Sequence, residues 1–239
     1  MTLPAPYRAD WYPADVPPVA DASSFTAHYP VRLADGCHLS LPLTPLPGGD
    51  KAVALLMSNQ TSFLVERNLI QRMTGIARAA APDAVVGIPT LGLTYARPVA
   101  EAIGHPDFVA LGHSRKFWYD DKLSEEVVSS TSPDQSKRVY LDPALLERVQ
   151  GRRVVLIDDV LNSGNTMAAA LSVMRKARAS VAAIVVVLTE GWDWHGRLAR
   201  IDPAMPGLVR ALGHIPLFGR TDKGWTPLAE TEAGARPNA

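Results

Sequence analysis

The sequence predicts an α/β fold in which helices flank a twisted, Rossmann-like parallel sheet. Two observations predict this fold class. Between residues 83 and 188, short segments that are apolar throughout alternate with longer segments of helical periodicity. Strands without a polar side are typical of parallel sheets that helices cover on both faces. Hydrophobic residues make up 47% of the 239 residues, which is enough for a sizeable packed core.

The N-terminal part of the chain is predicted to form an arm and a β-hairpin. The first 25 or so residues are rich in Pro and Ala, a composition typical of an extended segment. Residues 29–33 and 37–41 are strand-like and flank the pair Asp35-Gly36, a common signal for a tight hairpin turn. At the other end of the chain, the final dozen residues are expected to form a frayed tail.

Strands and helices alternate through the rest of the predicted core. Apolar runs indicate the strands, and apolar residues near a 3.6-residue spacing indicate the helices. In chain order we predict a strand at 51–57, a helix that starts at 62 and is closed by Pro82, a strand at 83–88, a helix at 94–103, strands at 108–111 and 153–157, a helix at 165–178 and a strand at 180–188.

A long insertion, residues 113–143, interrupts this alternation. It is too long for an ordinary connection and carries several basic residues. Insertions of this kind are usually lids or binding loops, and we call this one the lid. Residues 127–131 are predicted to form one arm of a flap within it.

The composition excludes several classes of function. Lys plus Arg number 24, as do Asp plus Glu, so no basic excess indicates a nucleic-acid partner. The single Cys37 excludes an intramolecular disulfide and a cysteine zinc cluster, and it suits a reducing cytosol. No signal peptide is expected, and no apolar run approaches the roughly 18 residues of a membrane helix. We therefore predict a cytoplasmic protein that does not bind membranes.

The residues that carry chemistry are concentrated in the stretch VVLIDDVLNSGNTM, residues 154–167. Asp158 and Asp159, called the dyad below, follow an apolar strand, and ligands of parallel sheets bind at the carboxyl ends of strands. A helix then opens with small polar residues, and the free N–H groups and dipole of a helix start favour an anion. This predicted phosphate cradle consists of Asn162, Ser163, Gly164, Asn165 and Thr166.

Carboxylates beside a phosphate cradle indicate a ligand that has both hydroxyl groups and a phosphate. Carboxylates do not hold phosphate, but they accept hydrogen bonds from hydroxyls. Ribose 5-phosphate carries a vicinal diol and a phosphate, so it satisfies both halves. In a structural interpretation, Asp158 merely ends a strand and Asn162 or Ser163 caps the helix. That interpretation explains one polar residue but not five in succession, so we favour ligand binding.

The same stretch resembles the phosphoribosyl-pyrophosphate (PRPP) signature of the type I phosphoribosyltransferases, and the adenine phosphoribosyltransferases are the nearest branch. The resemblance covers roughly residues 60–190. It implies that Asp158 and Asp159 bind the ribose hydroxyls and that the cradle binds the 5-phosphate. Ser163 keeps the hydroxyl of the family's usual Thr. Asn165 stands where the adenine-type enzymes often have a second Gly.

A second segment resembles the family's pyrophosphate loop. Residues 87–93 follow the first core strand, as that loop does, but they lack the charged residue often found there. Taken alone, the segment fits an ordinary strand-to-helix turn equally well. The resemblance implies pyrophosphate contacts from Thr90, Leu91, Gly92 and Thr94.

The basic residues of the lid resemble the flexible loop of the adenine branch. Ser124 stands where that loop has Pro, and Glu125 stands where it has Gly. The alternative is a solvated charged loop without a catalytic role. The resemblance implies that catalysis involves, besides the dyad, the side chains of Arg115, Lys116 and Lys122.

The resemblance also implies the reaction. The 5-phosphoribosyl group would pass from PRPP to a nitrogenous, purine-like base with release of pyrophosphate, and Mg²⁺ would bind mainly through PRPP and water. A homodimer is implied, as is a hood that reads the base. Trp118 and Trp192 are candidates for stacking on the base. The implied domains are an arm and hood hairpin (1–50), the core with its lid (51–190), and a hood segment with a tail (191–239).

Two other functions remain compatible with the cradle. The first is a PRPP-binding regulatory protein without transferase activity, although no helix-turn-helix segment is evident in the arm. The second is an enzyme that acts on another ribose phosphate, such as a nucleotide hydrolase or a kinase-like synthase. The sequence has no Gly-x-x-x-x-Gly-Lys loop, which argues against a P-loop ATP site.

Overall fold

The computed structural model describes residues 7–18, 23–127, 137–235 and 237. The strands within these residues are β1 (Asp10–Tyr12), β2 (His28–Arg32), β3 (His38–Pro45), β4 (Lys51–Ala54), β5 (Ala84–Gly87), β6 (Val109–Ala110), β7 (Ser124–Val127), β8 (Lys137–Tyr140), β9 (Arg153–Leu161), β10 (Ser180–Glu190), β11 (Val209–Ile215), β12 (Phe218–Thr221) and β13 (Gly224–Pro227). The α-helices are α1 (Phe63–Ala79), α2 (Leu93–Ala102), α3 (Asn165–Lys176) and α4 (Asp193–Ala199).

Five parallel strands form the central sheet, in the order β11-β10-β9-β5-β6. Helices α1 and α2 pack on one face, and α3 and α4 pack on the other. The predicted α/β fold with a helix-flanked parallel sheet is therefore confirmed. Because all five strands run in the same direction, their carboxyl ends meet at one edge, where such sheets bind ligands.

Helix α1 shows how local sequence sets these elements. Ser62 caps it, since its hydroxyl accepts a hydrogen bond from the N–H of Val65, which satisfies one of the unpaired donors of the first turn. Val65, Leu69, Met73 and Ala77 recur at four-residue intervals, and all four are buried against the sheet. Burial of each large side chain in this stripe contributes about 1.5–3 kcal/mol to packing the helix on the sheet.

A second sheet is antiparallel and combines both ends of the chain. Strands β1, β3, β4, β12 and β13 follow one another in it, and β2 pairs with β3. The predicted hairpin is confirmed: β2 and β3 pair, and the N–H of Leu33 donates to the carbonyl of Cys37 at 2.9 Å. Gly36 has a φ of +86° in this turn, a conformation that favours glycine.

The arm and the tail are more ordered than the sequence predicts. Strand β1 pairs with β3, so part of the predicted arm is sheet. The prediction of a frayed tail is wrong for residues 228–235. The Thr231 hydroxyl accepts a hydrogen bond from the N–H of Leu217, and the Thr231 carbonyl oxygen is 2.8 Å from Nε2 of His214. Short polar segments at chain ends order when the fold offers them partners. The domain boundaries at residues 50 and 190 stay a prediction.

The lid contains a short antiparallel ribbon, β7 with β8. Val127, the first residue of the predicted flap arm, ends β7, and residues 128–131 lie outside the described residues. The ribbon is tied to α3, because Nζ of Lys176 donates to the carbonyl of Ser124 at 2.6 Å and lies 2.9 Å from a Glu125 carboxylate oxygen. Among the described residues, none of the helices combines the length and apolar character that a bilayer crossing demands.

Candidate active site

The dyad lies at the carboxyl edge of the central sheet. Strand β9 runs to Leu161, so the predicted strand end at residue 157 is wrong and both carboxylates are strand residues. The strand continues because β10 pairs with it as far as Leu161. Successive strand residues face opposite sides of a sheet, so Asp159 lies on the side of α1 and α2, as Ile157 does, and Asp158 lies on the side of α3.

The structure brings the dyad, the cradle and part of the predicted pyrophosphate loop around one cavity of about 300 Å³. Its polar walls come from three places in the chain that the sequence had singled out separately. The lining residues are Pro89, Thr90, Leu91, Asp158, Asp159, Val160, Leu161, Asn162, Ser163, Gly164, Asn165, Thr166 and Met167.

The cradle has the geometry of an anion site. Gly164 precedes α3 with a φ of +74°, and a Cβ there would lie 3.0 Å from Cα of Trp194, so glycine is required by both conformation and space. Helix α3 then begins at Asn165, and its first N–H groups have no intrahelical acceptor. Oδ1 of Asn165 is buried without a partner among the described residues.

The predicted pyrophosphate loop forms the opposite wall, but only two of its four candidates line the cavity. These are Thr90 and Leu91. Gly92 is buried against β9, and a Cβ on it would lie 2.7 Å from the carbonyl oxygens of Ile88 and Ile157. Thr94 lies in the first turn of α2, away from the cavity wall. Gly92 therefore allows the predicted pyrophosphate loop to lie close against β9.

The dyad is an electrostatically costly pair. Asp158 is 8% exposed, and burial, together with the neighbouring Asp159 carboxylate, raises its pKa well above the ordinary value. Burial also raises the pKa of Asp159, and hydrogen bonds from backbone N–H groups partly offset this rise. The N–H of Asp159 donates to Oδ1 of Asp158 at 2.9 Å. Neither carboxylate forms an ion pair with a described residue, so the pair favours a ligand that brings donors.

Two residues that sequence reasoning missed lie beside the dyad. Ser58, 1% exposed, donates from Oγ to Oδ2 of Asp159 at 3.4 Å. Tyr95 is fully buried beside them, and its hydroxyl makes no well-aligned hydrogen bond with a described residue. Burial raises the pKa of Tyr95, with a contribution from the charge of Asp159. No local pattern marks Ser58, which is 101 residues from Asp159.

The basic candidates of the lid are not at the cavity wall. Nε of Arg115 is 2.9 Å from an oxygen of Asp121. Lys116 and Lys122 are exposed. All three lie in the described part of the lid, but none lines the cavity, so their catalytic role stays a prediction.

The two stacking candidates are also away from the cavity. Trp118 is 51% exposed, and its Nε1 donates to Asp142. Trp192 stacks on His214 with ring centroids 4.7 Å apart and donates to the carbonyl of Glu232. Their role in stacking on a base therefore stays a prediction.

A family model described as "Phosphoribosyl transferase domain" matches residues 58–199, which is more than half of the chain. The chain belongs to this family. The resemblance seen in the PRPP signature is thereby confirmed, as is the assignment to the phosphoribosyltransferase class of enzymes. The match begins at Ser58 and ends with α4, so all six described strands of the antiparallel sheet lie outside it.

Relatives and solved structures agree with the family. The adenine phosphoribosyltransferase of Mycolicibacterium paratuberculosis is 30% identical over 156 residues, which are 63% of this chain and 78% of the relative. The crystal structure of adenine phosphoribosyltransferase from Rhodothermus marinus has a TM-score of 0.54 at 16% identity and covers 73% of this chain and 93% of that one. For the Giardia lamblia enzyme complexed with 9-deazaadenine, the TM-score is 0.51 at 17% identity, with 63% and 80% covered. The two structures show the shared fold.

Proposed function

We propose that the protein transfers the 5-phosphoribosyl group of PRPP to a nitrogenous, purine-like base and releases pyrophosphate. The observation that carries this proposal is the single cavity of about 300 Å³ in which the carboxylate pair, with Asp158 buried, faces a phosphate cradle. This combination of groups suits a ribose phosphate, whose diol and phosphate are the two complementary groups.

Each wall of the cavity has a proposed role. The N–H groups at the start of α3 and the hydroxyls of Ser163 and Thr166 bind the 5-phosphate. Asp158 and Asp159 accept hydrogen bonds from the ribose hydroxyls, and Thr90 and Leu91 hold the pyrophosphate, chiefly through the backbone. Fixing the sugar between three walls orients C1 toward the incoming base, which is how positioning lowers a barrier.

Mg²⁺ is the proposed cofactor, and the donor set fits it. Mg²⁺ takes hard oxygen ligands and is usually held by one or two carboxylates together with substrate phosphates and water. The described residues contain no group of three or more metal-binding side chains, and the dyad offers two carboxylates beside the proposed pyrophosphate wall. When bound, the ion supplies positive charge against the leaving pyrophosphate.

The lid is proposed to supply further positive charge. Arg115 is paired with Asp121, but both side chains are more than half exposed, and exposed ion pairs contribute only about 0–1 kcal/mol. Releasing this pair is therefore inexpensive. Arg115, Lys116 and Lys122 would then approach the pyrophosphate when the lid closes and would help exclude water from the reacting sugar.

The acceptor is proposed to be a purine-like base because relatives with this match carry the name adenine phosphoribosyltransferase. Trp118 and Trp192 remain the proposed stacking residues. A homodimer and a cytoplasmic location also stay predictions. Exposed Phe63, Leu64 and Phe117 are apolar surface that a second copy would cover.

Nucleotide formation tests the proposed function. The protein is incubated with PRPP and Mg²⁺ and with each member of a panel of purine and pyrimidine bases, and products are detected by mass spectrometry. We expect one new nucleotide together with pyrophosphate. PRPP binding measured in the same samples separates the alternatives, because binding without product on any base would contradict the transferase and favour a PRPP-binding regulator.

The contacts of Ser58 and Tyr95 give a further prediction. Replacing Ser58 by Ala and Tyr95 by Phe removes two hydroxyls beside Asp159, so Asp159 should be held less firmly and the Kd for PRPP should rise about 10-fold, as for one lost hydrogen bond. Isothermal titration with PRPP measures this. Thr74→Val is the control, because its buried hydroxyl also lacks a partner but lies in α1. An equal effect in the control would contradict a positioning role.

A further inference from the structure

In the described part of the chain only two carboxylate side chains are buried, those of Asp158 and Glu190. Glu190 is 6% exposed and is the last residue of β10. Thr189 pairs with Leu161 of β9, which places Glu190 beside Asn162, the first residue of the cradle. Neighbouring strands are about 4.8 Å apart, so the second buried carboxylate lies at the same sheet edge as the dyad.

Glu190 has no partner that explains its burial. Its carboxyl group forms no hydrogen bond or ion pair with a described residue, and burial alone raises its pKa to about 7. Buried carboxyl groups are normally hydrogen-bonded, because burying one without a partner is costly. No neighbouring charge contributes to this rise in pKa. The charged and titratable groups on the adjacent elements include Asp158 and Asp159 on β9, Arg210 and His214 on β11, and Asp193, His195 and Arg197 on α4, and Glu232 follows nearby.

An acceptor base is the ligand group that would satisfy Glu190. The base must lie next to the ribose, and the dyad fixes the ribose on β9, the strand adjacent to β10. A protonated carboxyl group presents one O–H donor and one carbonyl acceptor. These match a heterocycle edge with a ring nitrogen beside an exocyclic amino group.

Resting on the proposed function, we propose that Glu190 is a specificity-determining residue that hydrogen-bonds the acceptor base through such an amino-bearing edge. Its O–H donates to the ring nitrogen, and its carbonyl oxygen accepts from the amino group. A 6-aminopurine has this edge, and unsubstituted purine lacks the amino group.

The proposal predicts a pH dependence with a definite sign. The protonated form of Glu190 dominates below pH 7 and is lost as pH rises through about 7. The apparent KM for the amino-bearing base should therefore rise above pH 7. Glu190→Gln keeps one donor and one acceptor at every pH, so this limb of the profile should disappear in that variant.

The experiment compares wild type, Glu190→Gln, Glu190→Leu and the exposed control Asp193→Asn, with adenine and with purine as acceptors. We expect Glu190→Leu to lose about 100-fold in kcat/KM with adenine, as for a missing hydrogen-bonded pair, and far less with purine. Glu190→Gln and the control should keep most of the activity. The Kd for PRPP, measured by calorimetry, should be unchanged in all variants.

Several outcomes would overturn the proposal. Equal losses with both bases, a weakened PRPP affinity, or a pH profile that Glu190→Gln leaves unaltered would each assign Glu190 a structural role. Absence of product in wild type with every base would count against the proposed transfer instead. Binding of adenine to the PRPP-loaded protein then tests Glu190 directly, since loss of that binding in Glu190→Leu supports the proposal and its absence in wild type refutes it.

Discussion

PRPP binding should be lost when Asp158 and Asp159 are both replaced by Asn. A hydrogen bond to a charged group is worth about 1.5–3 kcal/mol, and the two carboxylates each receive at least one from the ribose hydroxyls under the proposed function. The Kd for PRPP should therefore rise by about 100-fold or more. Isothermal titration at pH 8 measures the change, since at that pH the carboxylates of the wild-type pair are more fully ionised than at neutral pH.

The fold should survive this double substitution. Burial raises the pKa of both carboxyl groups, so folding disfavours their ionised forms. A raised pKa contributes stability that is complete below the unfolded-state pKa and is lost as pH rises through the folded-state value. Asn has a similar size and no charge, so the variant should be at least as stable as wild type at pH 8. Thermal unfolding checks this.

Exposed Glu147 provides a control for the loss of charge. Glu147→Gln should leave both PRPP affinity and stability unchanged. In wild type, the affinity for PRPP should increase with pH, because an ionised carboxylate accepts stronger, charge-assisted hydrogen bonds than a protonated one. Unchanged PRPP affinity in the double variant would contradict the assignment of Asp158 and Asp159 to the ribose hydroxyls, whatever the stability of the variant.

The cradle and the dyad could be predicted from the sequence because both lie within one continuous segment of the chain. Fourteen consecutive residues, 154–167, form a strand end, a loop and a helix start, and hydrogen bonding within such a unit depends on neighbours in the chain. The core strands could be predicted from the sequence for a similar reason. Their two buried faces require continuous apolar runs, which Val154–Ile157 and its counterparts supply.

The remaining features depend on contacts between distant segments. Ser58 contacts Asp159, and Tyr95 comes to lie near both, only after distant parts of the chain have packed on the sheet. Nothing adjacent to either residue in sequence indicates this arrangement. Strand β1 forms because β3 has a free edge. Glu190 is a different case: it ends an apolar run as Asp158 does, so its signal was visible. Without a following cradle, an acidic strand end carries too little information to mark a site.

Gly92→Ala should both destabilise the protein and weaken PRPP binding. A Cβ at this position would lie 2.7 Å from the carbonyl oxygens of Ile88 and Ile157 and 2.8 Å from Cα of Asp158. These are backbone atoms of the sheet and its loop, so they cannot rotate away as a side chain would. Overpacking typically costs 1–3 kcal/mol, and we expect a loss in the free energy of unfolding near 3 kcal/mol, measured by urea denaturation.

The loss of PRPP binding follows from where Gly92 lies. The loop wall formed by Thr90 and Leu91 is held against β9 by this close approach, and an added methyl group must push the wall away from the dyad. A displacement of about 1 Å at a reacting centre is enough to cost about 100-fold in rate. The folded fraction of the variant should therefore show a lower kcat/KM for PRPP, measured at saturating base.

Gly75→Ala is the matched control. Gly75 lies inside α1, is exposed, and has no atom within 4 Å of the position a Cβ would take. The same methyl group should there stabilise the protein by about 0.5–1 kcal/mol, because alanine has the higher helix propensity. Opposite signs for the two substitutions would establish that contact with β9, and not the added methyl itself, decides the result. A Gly92→Ala protein with wild-type stability and PRPP affinity would show that the loop can move away from β9 without cost.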